Sequence, residues 1–190
     1  MKALIIDNHS KFIQRIGEIL DHLKIDHSSV DFADFQLNMS DSFDCFILSG
    51  GSLSIGGTPA FKEEKELIKQ APKPVFGMCF GFQLISFVYG EITEKLQSKI
   101  SGVNEIDVFG FDKLGINYNK KKLKVFESHL WAIKKPPKDF DVYGTSQYGI
   151  EIIKHSTKPI FATQFHPEVR EGNNGSIILQ YFLQKMVMQK

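Results

Sequence analysis

The chain has 190 residues, 42% of them hydrophobic and 24% charged. That is ordinary globular usage and excludes a disordered, collagen-like or coiled-coil polypeptide. Its 23 basic and 22 acidic side chains leave a formal net charge of +1, so no whole-molecule field selects nucleic acid or an anionic membrane.

The N-terminal apolar run Ala3-Leu4-Ile5-Ile6 is too short for a signal peptide or a spanning helix, and no later stretch reaches spanning length. A soluble, cytoplasmic protein with no membrane partner is expected. Its two cysteines, Cys45 and Cys79, are expected to be free thiols in a reducing compartment. They make neither a disulfide framework nor a zinc quartet, and no metal site is expected. The 17 phenylalanines promise an aromatic core.

Ala3 to Ile6, ending at Asp7, reads as a buried strand of a parallel sheet. Phe12, Ile13, Ile16, Ile19, Leu20 and Leu23 recur at helical spacing, which predicts an amphipathic helix over 11–24. Val30 to Phe35 is a weaker strand or a loop, Phe43 to Leu48 a strong strand, and Ser49-Gly50-Gly51 a glycine-rich turn after it. A helix over 60–70 ends before Pro72 and Pro74. Val75 to Met78 is a further buried strand, and Leu84, Ile85, Phe87 and Val88 lie on a helix closing near Gly90. Glu105 to Phe109, Lys124 to Phe126, Leu130 to Ile133, Val142 to Thr145 and Ile150 to Ile153 are short strand candidates. Pro159 to Phe165 returns to an apolar strand, and Ile177 to Val187 forms a closing helix. No linker divides the chain, so residues 1–190 are expected to form one domain. The fold class expected is α/β: three layers, a mainly parallel central sheet between helices, and a small antiparallel sheet at one edge.

Within Val75-Phe76-Gly77-Met78-Cys79-Phe80-Gly81-Phe82-Gln83, glycines stand two residues on either side of Cys79. This is the spacing of a nucleophile elbow, a turn from strand to helix so sharp that side chains at both flanking positions would collide. The sulfur then projects above a helix N-terminus, where free N–H groups favour thiolate and can hold an oxyanion. Cys45 lies inside a strand and reads as a small core residue. A thiol nucleophile needs a base, and among the six histidines His166 stands out. It closes an apolar strand, where sites collect in open parallel sheets, and Pro167-Glu168 follows it. Glu168 is placed to orient the imidazole. His22 reads as a surface residue; His27 and His155 read as parts of polar turns. A Gly-Gly turn after Ser49 can bring a backbone N–H close to a ligand.

Together, Ser49-Gly50-Gly51, Gly77-Met78-Cys79-Phe80-Gly81-Phe82-Gln83 and Gln164-Phe165-His166-Pro167-Glu168-Val169 resemble the class I, or triad, glutamine amidotransferases, and the resemblance spans nearly the whole chain. It implies a flavodoxin-like fold and a Cys79–His166–Glu168 triad. It implies oxyanion-hole N–H groups from Gly51 and Phe80, and substrate contacts from Gln83, Gly102 and Val103. The implied activity is hydrolysis of L-glutamine to glutamate and ammonia through a thioester. Glu127-Ser128-His129 adds a likeness to the branch that serves GMP synthase as a free-standing subunit in archaea. That likeness implies delivery of ammonia to a separate synthetase, an ATP-pyrophosphatase subunit. ATP and magnesium would sit on that partner, and no cofactor on this chain. The chain ends just past the resemblance, so the synthetase is expected to be a separate polypeptide. An amidotransferase serving anthranilate or aminodeoxychorismate synthase, a γ-glutamyl hydrolase, and a regulatory module without turnover stay open at this point.

Overall fold

The computed structural model describes residues 1–53, 55 and 61–187. Strand β1 (Lys2–Asp7) leads into helix α1 (Ile13–His22), and β2 (Asp26–Asp31) returns beside β1. A 3₁₀ turn over Leu37–Ser42 precedes β3 (Cys45–Leu48). Helix α2 (Lys62–Gln70), β4 (Val75–Met78) and α3 (Phe80–Val88) follow. Then come β5 (Glu94–Val108), a one-turn helix α4 (Phe111–Leu114), β6 (Lys122–Ala132), β7 (Phe140–Ser146) and β8 (Gly149–His155). The chain closes with β9 (Ile160–Thr163), α5 (Ser176–Tyr181) and a π-turn over Phe182–Val187.

The two faces of the sheet explain the apolar patterns. Ala3, Ile5, Cys45 and Ile47 pack on one face with Ile16, Ile19 and Leu20 of α1 and Ile178 and Leu179 of α5. Leu4, Ile6, Phe46 and Leu48 pack on the other with Leu67 and Ile68 of α2 and Leu84 and Ile85 of α3. Alternate residues of one strand thus feed two cores, which is why these strands read as unbroken apolar runs. Three layers follow.

The sheet itself differs from the expectation. Strand order is β2-β1-β3-β4-β9-β8-β7-β5-β6 in one nine-stranded sheet. The pairs from β2 to β9 are parallel and those from β9 to β6 antiparallel. The sheet is therefore mixed in equal parts, and the antiparallel strands form no separate small sheet. β9 pairs with β4 on one side and β8 on the other, welding the halves.

The mixed sheet also curls. β6 stands four strands from β9, about 19 Å across a flat sheet at ~4.8 Å per strand. Yet the His166 N–H, just past β9, donates to the Phe126 carbonyl of β6 at 2.8 Å. The antiparallel half must bend back over the ends of the parallel half.

Lys124 to Phe126 and Leu130 to Ile133, expected as separate strands, are one strand, β6, and two other boundaries differ for a local reason. The strand or loop expected at Val30 to Phe35 is the end of β2 and the turn after it; the strand begins earlier, at Asp26, where half-buried polar residues hide its pattern. β5 begins at Glu94 and is largely exposed along its first half, so no apolar alternation announces it. No described helix is long and apolar enough to cross a membrane.

One buried acid ties α2 to β1. Glu64 is 1% exposed and accepts a hydrogen bond from the Asn8 amide at 3.2 Å. Burial pushes its carboxyl up from 4.5 to about 7, against the pull of that bond. Its folded pKa thus exceeds the unfolded one. The stabilisation is complete below about pH 4.5 and is lost as pH rises to about 7, a difference of roughly 3 kcal/mol. Glu64→Gln should flatten this decline, as measured by urea midpoints at pH 5 and 8. An unchanged decline would exclude Glu64 as its source.

Candidate active site

Because β1, β3, β4 and β9 run parallel, their C-terminal ends emerge along one edge. The turn after β3 carries Gly50 and Gly51, the end of β4 carries Cys79, and the end of β9 leads to His166. Three segments far apart in sequence thus meet at one place.

Cys79 caps α3 with φ 50° and ψ −100°, a conformation that costs an ordinary residue about 1–3 kcal/mol. Its N–H donates to the Thr163 carbonyl at 2.8 Å, and its own carbonyl accepts the Gln83 N–H at 3.1 Å. The flanking glycines are sterically required. A Cβ on Gly77 would lie 2.8 Å from the Gly81 backbone, and one on Gly81 would lie 2.5 Å from the Leu48 carbonyl. The Gly81 N–H is already spent on the Ser49 carbonyl at 3.2 Å. Phe80, at the first helical position, has no upstream carbonyl of its own helix to bond.

His166 is 3% exposed, and its Nδ1 lies 2.8 Å from Glu168 Oε1. A carboxylate only accepts, so Nδ1 carries the proton and Nε2 is left for the thiol side. Burial opposes an imidazolium here, but the Cys79 sulfur and Glu168 outweigh it and raise the His166 pKa from 6.5 to about 10. Gly50 closes the group: a Cβ there would lie 2.8 Å from His166 Cε1 and 3.4 Å from Cys79 Cβ. The Ser128 carbonyl approaches Sγ at 3.9 Å. By contrast, burial pushes the Cys45 thiol up to about 12, which leaves it protonated and inert.

Gly51 presses on Asn8, whose carbonyl would sit 2.0 Å from any added Cβ. Gln83 is buried in α3, and its amide nitrogen donates to the Trp131 carbonyl at 3.0 Å and Gln164 Oε1 at 3.2 Å. Both its N–H groups are engaged, so a ligand could meet only its oxygen. Gly102 and Val103 pair with Glu127 and Phe126 across β5 and β6, beside the strand that brings Ser128 to the sulfur. Gly102 has φ 101°, and Val103 is partly exposed.

Some neighbours carry no signal in the sequence. Phe12, expected in the core, stands edge-on to the His166 ring at 5.0 Å and to Phe126 at 5.8 Å. Phe87, on the helix that closes near Gly90, is exposed beneath Lys65. His155 is buried at the end of β8, where Nδ1 accepts the Thr157 and Lys158 N–H groups; burial lowers its pKa.

A buried thiol at a helix N-terminus beside an imidazole tied to a carboxylate can attack a carbonyl and return a proton to the leaving group. The profile of the glutamine amidotransferase class-I family matches residues 4–186. The chain belongs to this family. The glutamine-hydrolysing GMP synthase subunit of Methanobrevibacter smithii is 30% identical, over 96% of this chain and 94% of its own. Its counterpart in Methanothermobacter thermautotrophicus is 28% identical, over 94% and 95%. The crystal structure of a proposed GMP synthase subunit from Thermoplasma acidophilum superposes with a TM-score of 0.83 at 26% identity, covering 97% of this chain and 92% of that one. The chain is thus a glutamine amidotransferase similar to the glutamine-hydrolysing subunits of GMP synthase.

The elbow's tightness is testable. Gly81→Ala should destabilise the chain by about 3 kcal/mol, because the contact is with backbone that cannot yield. Thermal or urea unfolding measures it. A loss under about 0.5 kcal/mol, the range of an ordinary surface substitution, would mean that α3 is free to move off β3.

Proposed function

We propose that this chain hydrolyses L-glutamine through Cys79, His166 and Glu168 and delivers the ammonia to a separate GMP synthetase subunit. The observation carrying the chemistry is the pairing of a strained, helix-capping Cys79 with an imidazole locked by Glu168 at 2.8 Å. The likeness to the glutamine-hydrolysing subunits of GMP synthase supports the destination.

The Cys79 thiolate attacks the side-chain amide carbon, forming a C–S bond and an oxyanion. The N–H groups of Phe80 and Gly51 face the oxyanion. The tetrahedral intermediate collapses as the His166 imidazolium gives its proton to the amide nitrogen, and ammonia leaves. Neutral His166 then takes a proton from water, which attacks the thioester. Glutamate departs, and the proton returns to the Cys79–His166 pair. Glu168 holds the imidazole in one tautomer and steadies its cationic form. The Gln83 oxygen, Gly102 and Val103 contact the amino acid end of glutamine. No step needs a metal or organic cofactor on this chain; ATP and magnesium act on the partner, where XMP is aminated.

Cys79→Ala should lower glutamate release about 10⁴-fold or more while leaving circular dichroism unchanged. Full activity in that variant would exclude the nucleophile. A glutaminase assay with and without an ATP-pyrophosphatase subunit tests the partner. Stimulation by that subunit supports the GMP assignment, and stimulation only by another synthase overturns it. The leaving ammonia needs protonated His166, so kcat/KM should hold through neutral pH and fall near pH 10. Glu168→Gln should move that alkaline limb down by roughly 1–3 pH units. A limb near pH 7 in the parent would contradict the ion pair.

A further inference from the structure

Behind the cysteine lies a second group of chemistry-bearing side chains that the proposed mechanism does not use. Glu127 and His129 project from one face of β6, and Glu151 reaches them from β8. All three are buried, at 0%, 4% and 1% exposure. One potential ligand atom from each lies within 4.8 Å of the others.

Each residue holds an unpartnered atom in this space: Glu127 Oε1, His129 Nε2 and Glu151 Oε2. The His129 tautomer follows from its other nitrogen. Nδ1 lies 2.9 Å from the Trp131 carbonyl, which can only accept. Nδ1 therefore carries a proton, and Nε2 is the nitrogen that can offer a lone pair to an ion. Glu151 Oε1 accepts the Ser146 hydroxyl at 2.7 Å, which steers Oε2 inward. Glu127 Oε2 has the Asn104 amide at 3.4 Å. The site is thus ringed by electron-pair donors whose far sides are held by second partners, the pattern of ligands around a metal. Neither acid has a Lys or Arg partner among the described residues. Two buried acids side by side with no Lys or Arg are costly to ionise, and a dication would balance both.

We propose that Glu127, His129 and Glu151 form a binding site for one divalent transition-metal ion, with Zn²⁺ the best match. One imidazole and two carboxylates suit zinc in a four-coordinate shell with one position left. The Glu127 carboxylate comes within 3.6 Å of His129 Nε2, so one ion can reach both groups at bonds of about 2.0–2.2 Å. The ion would sit behind Ser128, the residue between two of its ligands, whose carbonyl faces Cys79 Sγ. It would lock β6 to β8 across the curl. This site departs from the expectation of a metal-free chain and does not depend on the assignment to GMP synthesis.

The test uses the full chain carrying Cys79→Ala, so that zinc cannot be held by the thiol. After chelator treatment and dialysis, Zn²⁺ titration should show one equivalent bound per chain. The unfolding temperature should rise by about 10 °C at a thousandfold excess over Kd. Co²⁺ in place of Zn²⁺ should give visible d–d bands without thiolate charge transfer. Glu151→Gln and Glu127→Gln, which keep side-chain shape, should each weaken binding at least tenfold and remove the thermal shift. No uptake by the folded parent at micromolar Zn²⁺ would overturn the site, as would undiminished uptake by both glutamine variants. So would a Glu151→Gln chain stabilised without any metal dependence, since the acids would then be sharing protons.

Discussion

The hydrogen bond from the His166 N–H to the Phe126 carbonyl closes the molecule on itself. It joins the last parallel strand to the most distant antiparallel one and holds the sheet's curl at the place where the chemistry gathers. Ser128, two residues on, then reaches Cys79 Sγ. The Phe126 and Phe12 rings wall the imidazole. Were the sheet flat, β6 would lie about 19 Å away, and the thiol and imidazole would stand at an open edge in water.

Against that closure works the strain at Cys79. A residue at φ 50° and ψ −100° stays there only if its surroundings over-determine it. They do so in three ways. The Cys79 N–H is tied to β9 through Thr163, its carbonyl caps α3, and the Gly77–Gly81 contact lets the helix start directly above the strand. The same bond to Thr163 couples the cysteine to the strand that leads to His166, so the strain and the thiol–imidazole spacing share one support.

How much of this was legible follows from the range of each interaction. β4 and the turn at Cys79 are local matters of apolar run and glycine spacing, and they could be read residue by residue. His166 and Glu168 stood out because Pro167 and a strand end flank them. The curl could not be read, because it arises from pairings such as Ile152 with Thr163 and Ile106 with Leu123, whose combined geometry no single segment encodes. β5 escaped for a different reason: its first half is solvated on both faces and lacks a period. Phe12 looked like one more helical apolar residue because periodicity marks burial but not what a ring is buried against. The meeting of Glu127, His129 and Glu151 needed β6 and β8 to come together although β7 and β5 lie between them in the sheet.

The position of β9 has a consequence for how the protein comes into being. β4 and β8 have no strand between them until residues 160–163 arrive, although everything else in the sheet precedes them in the chain. Until that segment is made, any parallel or antiparallel half that forms has an open edge where β9 belongs. The segment that seals both edges is the one that delivers His166. The residues that complete the sheet thus come just ahead of His166 in the chain, and a chain cut short before them carries Cys79 without that imidazole.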